Sequence, residues 1–335
     1  MSLPIYFAPL QGYTEDAYRR VHKAVCGGID EYYTPFLRLE QEEIRKKDNL
    51  GLRPEHNVNI PLAIQVIARS GVELKLLLNG VQKHVKEWHA KMDKMQMQGV
   101  FDSSALASWP DSERIHIDIN MGCPFPLQVD HGRGAGLLAN PDKVQELCEV
   151  MQSSPEYDFS VKMRLGIKSP DEWKGILPIL NQVKLKHITL HPRVAKQMYT
   201  GTPNLDAFEE FAAECRHPLV YNGDIRSVED VDSICSRFPA LEGLMIGRGL
   251  LSRPTLANEI KTGKIATHEE VVAAFKAIHE GLYRYYAGVI PGEEQLLLKL
   301  QSFWAFSEQT FGRRAWKKVC KAGNMRNYLR AVDEL

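Results

Sequence analysis

A cysteine at a sharp turn is the first residue of this sequence with the chemistry of an active site. Cys123 stands between Gly122 and Pro124, directly after the alternating apolar run IHIDIN at 115–120, and the glycine-rich stretch HGRGAG follows it. Such alternation is typical of a β-strand, and the Gly and Pro mark its end. The thiol is therefore predicted to lie on a loop at a strand end and to face a cleft, although cysteine is often only a packing residue.

Charged and polar residues also stand at the ends of other apolar runs. Lys162 and Arg164 are two residues apart, as are His191 and Arg193, and in a strand this spacing points both members of a pair the same way. Each residue alone could simply complete the hydrogen bonds of a loop. Together they indicate a ligand site, because ionic groups within apolar runs are costly to bury without a partner. Further residues at such ends are Pro9, Gln11, Gln65, Asn120, Asn222, Gly223, Asp224, Gly247 and Arg248.

These ends belong to short apolar runs that recur along the chain. Eight runs have the length and composition of buried strands: 4–9, 31–36, 62–68, 115–120, 159–164, 187–192, 218–223 and 243–248. Amphipathic helical patterns lie between them, for example at 141–152, 206–215 and 227–238. Ser227 is the predicted N-cap of the last one.

The alternation of strands and helices predicts an α/β fold. We expect a (β/α)8 TIM barrel over residues 1–255, in which all the strand ends listed above meet on one face. A doubly wound sheet is the alternative. It needs a G-x-G-x-x-G turn after the first strand, and the sequence APLQGYTED does not supply one.

The last two strand ends carry the pattern of a phosphate site. The runs NGDI and GRGLL follow the seventh and eighth predicted strands, where such barrels often bind phosphate through backbone N–H groups. Arg248 adds a fixed positive charge. Alternatively, Gly223 and Gly249 only make tight turns. With Lys162 and His191 nearer the barrel centre, the arrangement suits flavin mononucleotide (FMN), whose reduced ring carries negative charge that Lys162 would stabilise.

The C-terminal part of the chain has a different pattern. Apolar residues at spacings of three and four run through 268–335, which predicts a small C-terminal α-helical domain. Arg313, Lys317 and Lys321 are spaced to line one helix face. The whole chain is neutral, with 42 Lys and Arg against 42 Asp and Glu, so this stripe is the candidate surface for a nucleic-acid backbone. A solvated helix face without a partner is the alternative.

Six motifs are highly specific when they occur in this order: APLQGYTE, INMGCPFP with GAGLLANP, VKMRLG, LHPRVAKQMYTG, NGDI and MIGRGLL. On these motifs the sequence resembles the tRNA-dihydrouridine synthase family from residue 1 to about 255. The resemblance implies FMN-dependent reduction of uridine in tRNA to 5,6-dihydrouridine, with NADPH as the electron source. By similarity, FMN would contact Pro9, Leu10, Gln11, Gln65, Lys162, His191, Asn222, Gly223, Asp224, Gly247 and Arg248.

Cys123 matches the proton donor of that family. Reduction of the uracil C5=C6 bond needs a hydride at C6 and a proton at C5, and the flavin supplies the hydride. A thiol with an ordinary pKa of about 8.5 is mostly protonated at neutral pH. Cys123 is therefore predicted to be the general acid, with a pKa that its surroundings do not depress. The predicted substrate and RNA contacts are Asn120, Arg133, Arg164, Arg193, Arg313, Lys317 and Lys321.

Some of these assignments have a plain structural alternative. Arg164 and Arg193 could contact the flavin edge, the uracil oxygens or a phosphate, or could form ion pairs with neighbouring loops. Arg133 could belong to a solvated loop. Residues 69–114 depart from the family pattern, since about 46 residues stand where a single helix is usual. The Met and Trp residues within 86–98 are interpreted as core packing.

Cysteine spacing and hydropathy exclude several classes of protein. The six cysteines are scattered with no Cys-x-x-Cys pair, so we expect neither a metal site nor a disulfide framework. No membrane span or secretory leader is recognisable, and we expect a monomer in the cytoplasm. Two other functions are compatible with the sequence: an FMN-dependent oxidoreductase of a free pyrimidine or enone, and a catalytically inactive tRNA-binding factor.

Overall fold

Eight parallel strands close into a barrel in the order of the chain. The computed structural model describes residues 3–53, 57, 59–97 and 114–335. The strands are β1 Ile5–Phe7, β2 Glu31–Tyr33, β3 Leu39–Glu40, β4 Glu43–Ile44, β5 Leu62–Val66, β6 Ile115–Met121, β7 Tyr157–Gly166, β8 Ile188–Val194, β9 Leu219–Tyr221 and β10 Gly243–Ile246. All except β3 and β4 belong to the barrel. The predicted TIM barrel is confirmed, and each of the eight predicted runs supplies one strand.

The strand ends differ from the predicted ends for local reasons. β2 stops at Tyr33, short of the predicted residue 36, and Pro35 has no N–H to donate to the ladder. β3 and β4 form a hairpin that the sequence did not predict, because Gln41 and Glu42 occupy its turn with φ of +51° and +66°. Turns of this kind usually carry Asn or Gly, so the usual signal is missing here.

Helices lie between the barrel strands and directly after the last strand. They are Asp16–Val25, Lys46–Asn49, Gly71–Met97, Pro126–Val129, Pro141–Gln152, Leu177–Leu180, Leu205–Glu214, Val228–Arg237, Arg248–Ser252 and Leu256–Thr262. The predicted helix at 141–152 is confirmed to the residue. Ser227 caps Val228–Arg237 as predicted: its Oγ accepts from the Asp230 N–H at 3.3 Å, and an Asp230 carboxylate oxygen accepts from the Ser227 N–H at 3.0 Å.

One long helix occupies much of the segment that departs from the family pattern. Gly71–Met97 has 27 residues, well above the average of about 11–12 for globular proteins. Residues 98–113 and most side chains of 88–97 lie outside the described residues. The packing interpretation of the Met and Trp residues there stays a prediction.

The C-terminal part from residue 268 is helical, as predicted, and contains four α-helices: His268–Val289, Glu293–Phe303, Glu308–Cys320 and Met325–Asp333. Two contacts join this part to the segment that follows β1. The ring of Phe306, in the turn between the second and third of these helices, lies 5.1 Å from that of Tyr13, and Lys299 Nζ lies 2.6 Å from a carboxylate oxygen of Glu15. The division into domains at residues 255 and 268 stays a prediction. Within the described residues, no helix combines the length and apolar character that crossing a bilayer requires.

The interior of the barrel is apolar on one side and polar on the other. Ala8, Tyr33, Ala63, Val220 and Met245 form the apolar cluster. On the other side, β5, β6 and β7 bury polar side chains that are hydrogen-bonded to one another: Gln65, His116, Asp118, Asn120 and Ser160. Because buried polar groups are costly unless paired, this connected set fixes the side-chain orientations beneath the carboxyl ends of these strands.

Candidate active site

A cleft opens at the carboxyl ends of the barrel strands. It contains about 940 Å³ of empty space, part of it open to solvent. Lys162 on β7, His191 on β8 and Cys123 after β6 all line it, so the three side chains share one cleft. The other predicted residues along its wall are Pro9, Leu10, Gln11, Asn120, Arg164, Asn222, Gly223, Asp224, Gly247 and Arg248.

The turn after β6 holds Cys123 through backbone hydrogen bonds. The N–H groups of Gly122 and Cys123 both donate to Asn120 Oδ1, at 3.1 Å and 2.9 Å. The Cys123 carbonyl accepts from the Ala135 N–H at 3.1 Å, which ties the turn to the glycine-rich loop. Gly134 has a φ of +57°, and a Cβ there would lie 2.7 Å from the Cys123 Cβ. Only glycine therefore allows the loop to pass so close to the cysteine.

The surroundings of the Cys123 thiol keep it protonated. The residue is 7% exposed, and burial raises the pKa of the Cys123 thiol above its ordinary value. The Phe125 N–H and the positive charges of Arg164 and Lys162 act in the opposite direction but do not outweigh burial. The thiol is therefore neutral at neutral pH, as a proton donor has to be.

Lys162 brings an ammonium group into the cleft. Burial and the nearby Arg164 guanidinium lower the pKa of Lys162 to about 8, against the opposite influence of Asp118 and Cys123. Within the described part of the chain, its Nζ has no hydrogen-bond or ion-pair partner. The ammonium is thus available to an anionic ligand.

Arg164 reaches the cleft wall but is itself tied to the backbone. Its Nε donates to the Gly122 carbonyl at 3.1 Å, and its Nη1 donates to the Val194 carbonyl at 3.0 Å. Burial is the main cause that lowers the pKa of Arg164 to about 10, so the group remains charged at neutral pH. Arg164 therefore joins the end of β8 to the turn that carries Cys123.

An ionic cluster forms the other wall of the cleft. Arg193 donates to both carboxylate oxygens of Asp224, at 3.0 Å and 2.6 Å, and Arg248 donates to the same carboxylate at 2.9 Å. Arg193 also donates to His191 Nε2 at 3.1 Å. Burial and the surrounding guanidinium groups hold the pKa of His191 well below its ordinary value, so the imidazole is neutral.

Among the predicted contacts from the barrel part of the chain, three do not line the cleft. Arg193 is 1% exposed, and its pairing with Asp224 matches the ion-pair alternative. Gln65 is also 1% exposed, and Asp118 and Asn120 use its amide, so it lies behind the cleft wall. Arg133 pairs with Glu73 at 2.6 Å on the outside of the glycine-rich loop.

The predicted cations of the C-terminal part are far from these groups in the sequence and do not line the cleft. Arg313, Lys317 and Lys321 are exposed. The regular helix starts after Gly312, whose φ is +73°, and ends at Cys320, so Lys321 is the residue that follows the helix. The contact of these three residues with RNA stays a prediction.

Sequence reasoning missed several residues of the cleft, of which Tyr199 is the most prominent. Tyr199 is 38% exposed, and its ring centroid lies 4.5 Å from the guanidinium carbon of Arg248 and 5.5 Å from that of Arg164. Arg226 and Phe36 also line the cleft. Tyr199 stands in the motif LHPRVAKQMYTG, and an aromatic residue so close after the strand-end residues His191 and Arg193 was the available signal.

The glycine of the last turn has a structural reason of its own. A Cβ on Gly249 would lie 2.0 Å from the Ile225 carbonyl oxygen, so the chain needs glycine there for packing. Close packing therefore explains glycine at position 249, and Arg248 and Arg226 supply positive charge to this part of the cleft. Among the described residues, no group of three or more His, Cys, Asp or Glu side chains could hold a metal ion.

Comparison with known proteins gives the family. A model of the family described as dihydrouridine synthase matches residues 103–329. The chain belongs to the dihydrouridine synthase family. This region contains Cys123, Lys162 and His191, which the structure brings to one cleft.

Individual members of the dihydrouridine synthase family match over longer stretches. The Homo sapiens protein named tRNA-dihydrouridine(47) synthase, NAD(P)(+)-like, is 30% identical in an alignment 257 residues long that covers 70% of this chain and 39% of that protein. The tRNA-dihydrouridine(16) synthase of Yersinia pestis is 26% identical over 261 residues, which are 77% of this chain and 76% of that protein. The chain therefore spans less than half the length of the human relative.

A solved structure shares the fold. The complex of 2-naphthoyl-CoA reductase with 2-naphthoyl-CoA aligns with a TM-score of 0.51 and 8% sequence identity, over 78% of this chain and 50% of that one. At this identity the likeness shows the barrel fold alone.

Proposed function

We propose that this chain reduces uridine in tRNA to 5,6-dihydrouridine, with FMN held in the cleft and NADPH as the electron source. The observation that carries the proposal is the meeting of a protonated thiol, Cys123, with Lys162 and His191 in one cleft of a dihydrouridine synthase family member. The names of the human and Yersinia pestis relatives, both tRNA-dihydrouridine synthases, support the substrate, and the human name includes NAD(P)(+).

The side chains of the cleft fit an anionic cofactor with a phosphate. The Lys162 ammonium has no protein partner among the described residues, and such a charge is unfavourable near a barrel interior until an anionic group meets it. Arg248 and Arg226 supply positive charge at the end of the cleft formed by β9 and β10. FMN would be held through its phosphate by these two arginines and through its ring by Lys162 and His191.

Each of these groups has a defined task. When bound, reduced FMN supplies the hydride that C6 of the uracil ring accepts. Lys162 would supply the positive charge that stabilises the negative charge of the reduced flavin ring. His191 is neutral and receives a hydrogen bond from Arg193, which fixes its Nε2 as an acceptor. Asp224 holds Arg193 and Arg248 in place, so the charges of this wall are arranged before a ligand binds.

Cys123 supplies the proton for C5. Its S–H bond breaks, the proton is transferred to C5 of the uracil ring, and the thiolate that remains lies near the positive charges of Lys162 and Arg164. Water then returns a proton to the sulfur. Because burial keeps the thiol neutral beforehand, the proton is in place when the base enters.

The substrate has to leave its stack to reach this cleft. A uridine within folded tRNA reaches a barrel mouth only when it is extruded, which requires a grip on the neighbouring backbone. The exposed stripe of Arg313, Lys317 and Lys321 suits this grip.

The proton-donor role of Cys123 gives the decisive test. In Cys123→Ala we expect FMN to stay bound, because the thiol is not part of the cationic site. Dihydrouridine formation should fall at least about 100-fold, the usual contribution of a general acid. The measurement is single-turnover formation of dihydrouridine in unmodified tRNA, with visible absorbance as the record of bound flavin.

Cys235→Ala is the matched control, since Cys235 is a half-buried free cysteine outside the cleft. It should keep both flavin and activity. Unchanged turnover in Cys123→Ala would contradict the acid role. A colourless wild-type protein would instead favour the catalytically inactive factor, and equal turnover on free uridine would favour the small-molecule oxidoreductase.

A further inference from the structure

A chain of hydrogen bonds leads from the barrel interior to the turn of Cys123. Gln65 Nε2 donates to Asp118 Oδ2 at 2.7 Å, and Asn120 Nδ2 donates to Gln65 Oε1 at 2.8 Å. Asn120 Oδ1 then accepts from the N–H groups of Gly122 and Cys123. The side chains come from β5 and β6, which are neighbours in the barrel.

Only one orientation of the Asn120 and Gln65 carboxamides satisfies every hydrogen bond of this series. Backbone N–H groups can only donate, so the Asn120 oxygen has to face the turn and its nitrogen has to face Gln65. Gln65 must then present its oxygen to Asn120 and its nitrogen to Asp118. A reversed Asn120 amide would place donors against donors and leave two N–H groups unsatisfied.

The series of hydrogen bonds begins at the Asp118 carboxylate. This residue is fully buried, and Ser160 Oγ donates to its Oδ1 at 2.6 Å. Ser160 in turn lies 2.8 Å from His116 Nε2, and His116 Nδ1 lies 2.8 Å from Glu31. The carboxylate that orients Gln65 is therefore fixed from below by groups on β2, β6 and β7.

We infer that Asp118 and Gln65 are positioning residues for Cys123. By fixing the orientation of the Asn120 carboxamide, they hold the turn so that the thiol faces the cleft and stays shielded from solvent. The consequence for turnover rests on the proposed function, whereas the consequence for the accessibility of the thiol does not. The competing view is that these interior polar groups only satisfy one another and have no influence on Cys123.

Alkylation of Cys123 distinguishes the two views without any RNA. Iodoacetamide is added to the purified flavin-containing protein, and peptide mass spectrometry follows each cysteine over time between pH 7 and 9. Gln65→Met has a side chain of similar length without hydrogen bonds. It loses two hydrogen bonds, of which only the one from Asn120 acts directly on the turn of Cys123. We expect it to raise the alkylation rate of Cys123 about fivefold to tenfold at every pH, the factor that the loss of that one hydrogen bond gives.

Asp118 offers a conservative variant and a disruptive one. In Asp118→Asn the side-chain oxygen can still accept from Gln65 while the amide donates to Ser160, so Cys123 should be alkylated within about twofold of the wild-type rate. Asp118→Leu removes both contacts and should behave like Gln65→Met. Cys148, which is 1% exposed, reports on folding in the same samples.

Thr189→Val is the matched control in the barrel interior. The Thr189 Oγ1 is buried and has no hydrogen-bond partner among the described residues, so this variant loses no hydrogen bond. It should leave the alkylation of Cys123 unchanged. If Gln65→Met behaves like Thr189→Val, or if Asp118→Asn behaves like Asp118→Leu in folded protein, the inference is wrong.

The readouts separate this inference from the proposed function. If Asp118→Leu unfolds, so that Cys148 also reacts, Gln65→Met decides alone. Accelerated alkylation together with slower dihydrouridine formation supports both proposals. Accelerated alkylation in a protein whose wild type forms no dihydrouridine leaves the positioning role standing and removes the proposed reaction.

Discussion

At the scale of single residues, burial acts in opposite directions on the groups of one cleft. It raises the pKa of the Cys123 thiol, and it lowers the pKa of Lys162 and of His191. Each shift favours the neutral form of its group, because a low-polarity environment disfavours charge. At neutral pH the cleft therefore contains a neutral acid, a neutral imidazole and an ammonium that is still mostly charged.

The pKa of Lys162 predicts a pH dependence of flavin retention. Because this pKa is lowered to about 8 in the protein without ligand, the ammonium loses its charge as the pH rises through that value. We expect FMN to be released more readily at pH 9 than at pH 7 in the wild type. Lys162→Arg should remove this dependence. Lys162→Met should bind FMN at least about tenfold more weakly than the wild type at pH 7, and the difference should be smaller at pH 9, where the wild type has lost most of its charge. Flavin fluorescence on dilution measures the release.

Lys196→Met serves as the control for these variants, since Lys196 is exposed beyond the end of β8 and does not line the cleft. It should retain FMN like the wild type. Wild-type affinity in Lys162→Met would show that the ammonium does not meet the cofactor.

At the scale of secondary structure, local start signals explain why one helix was predicted to the residue and another with the correct N-cap. Asn140-Pro141 starts Pro141–Gln152, and the Ser227 capping box starts Val228–Arg237. Both signals are local, since they depend on residues within one turn of the helix end. The β3–β4 hairpin lacks such a signal, because Gln41 and Glu42 are not typical of its turn.

The cap of Val228–Arg237 can be tested by itself. Ser227→Ala removes the hydroxyl that accepts from the Asp230 N–H and should lower the free energy of unfolding by about 1 kcal/mol. Ser236→Ala, at an exposed position of the same helix, should have almost no effect. Urea unfolding followed by circular dichroism gives both values. Equal losses in the two variants would mean that the cap contributes nothing specific.

The basic stripe of the C-terminal helices gives a prediction for RNA binding. The double variant Lys317→Glu, Lys321→Glu should weaken tRNA binding about tenfold or more and reduce the slope of affinity against salt concentration, because fewer counterions are released. Flavin absorbance should not change. Filter binding at several salt concentrations measures the slope.

The matched control reverses two exposed charges at the other end of the barrel, Lys184→Glu and Arg216→Glu, just before β8 and β9. It makes the same change in net charge. If both double variants weaken tRNA binding equally, the effect is one of total charge and the stripe is only a solvated face.

At the scale of the whole molecule, buried neutral histidines make stability depend on pH. Burial is the main cause that lowers the pKa of His22 and His279 to about 4 each and that of His187 to about 3. In the unfolded chain these groups titrate near 6.5. Between pH 6.5 and 4 the unfolded state therefore binds more protons than the folded state, so stability is complete above 6.5 and is lost as the pH falls.

We expect the free energy of unfolding to fall by more than about 1 kcal/mol between pH 7 and pH 5.5, as measured by urea unfolding. His279→Gln should reduce this pH dependence, because it removes one of the buried groups. His268→Gln lies on the exposed surface of the same helix and should leave it unchanged. A His279→Gln curve parallel to that of the wild type would mean that His279 does not contribute to the acid sensitivity.

The sequence by itself determined the barrel, the order of its strands and the identity of most cleft residues. Apolar runs, helix caps and motif order are properties of neighbouring residues, and the chain carries them before it folds. The closure of the eight strands then follows, because parallel strands with connecting helices have few other ways to bury both faces. Cys123, Lys162 and His191 could therefore be assigned to one face without coordinates.

Only the tertiary structure decided how the polar groups pair. Gln65 and Arg193 stand at strand ends like Lys162, yet Asp118 and Asn120 take up the Gln65 amide and Asp224 takes up the Arg193 guanidinium. These partners are 31 to 55 residues apart in the sequence. A hydrogen bond depends on distances of a few tenths of an ångström between elements that meet only after packing, so the pattern of residue types could not show which side chains remain free for a ligand.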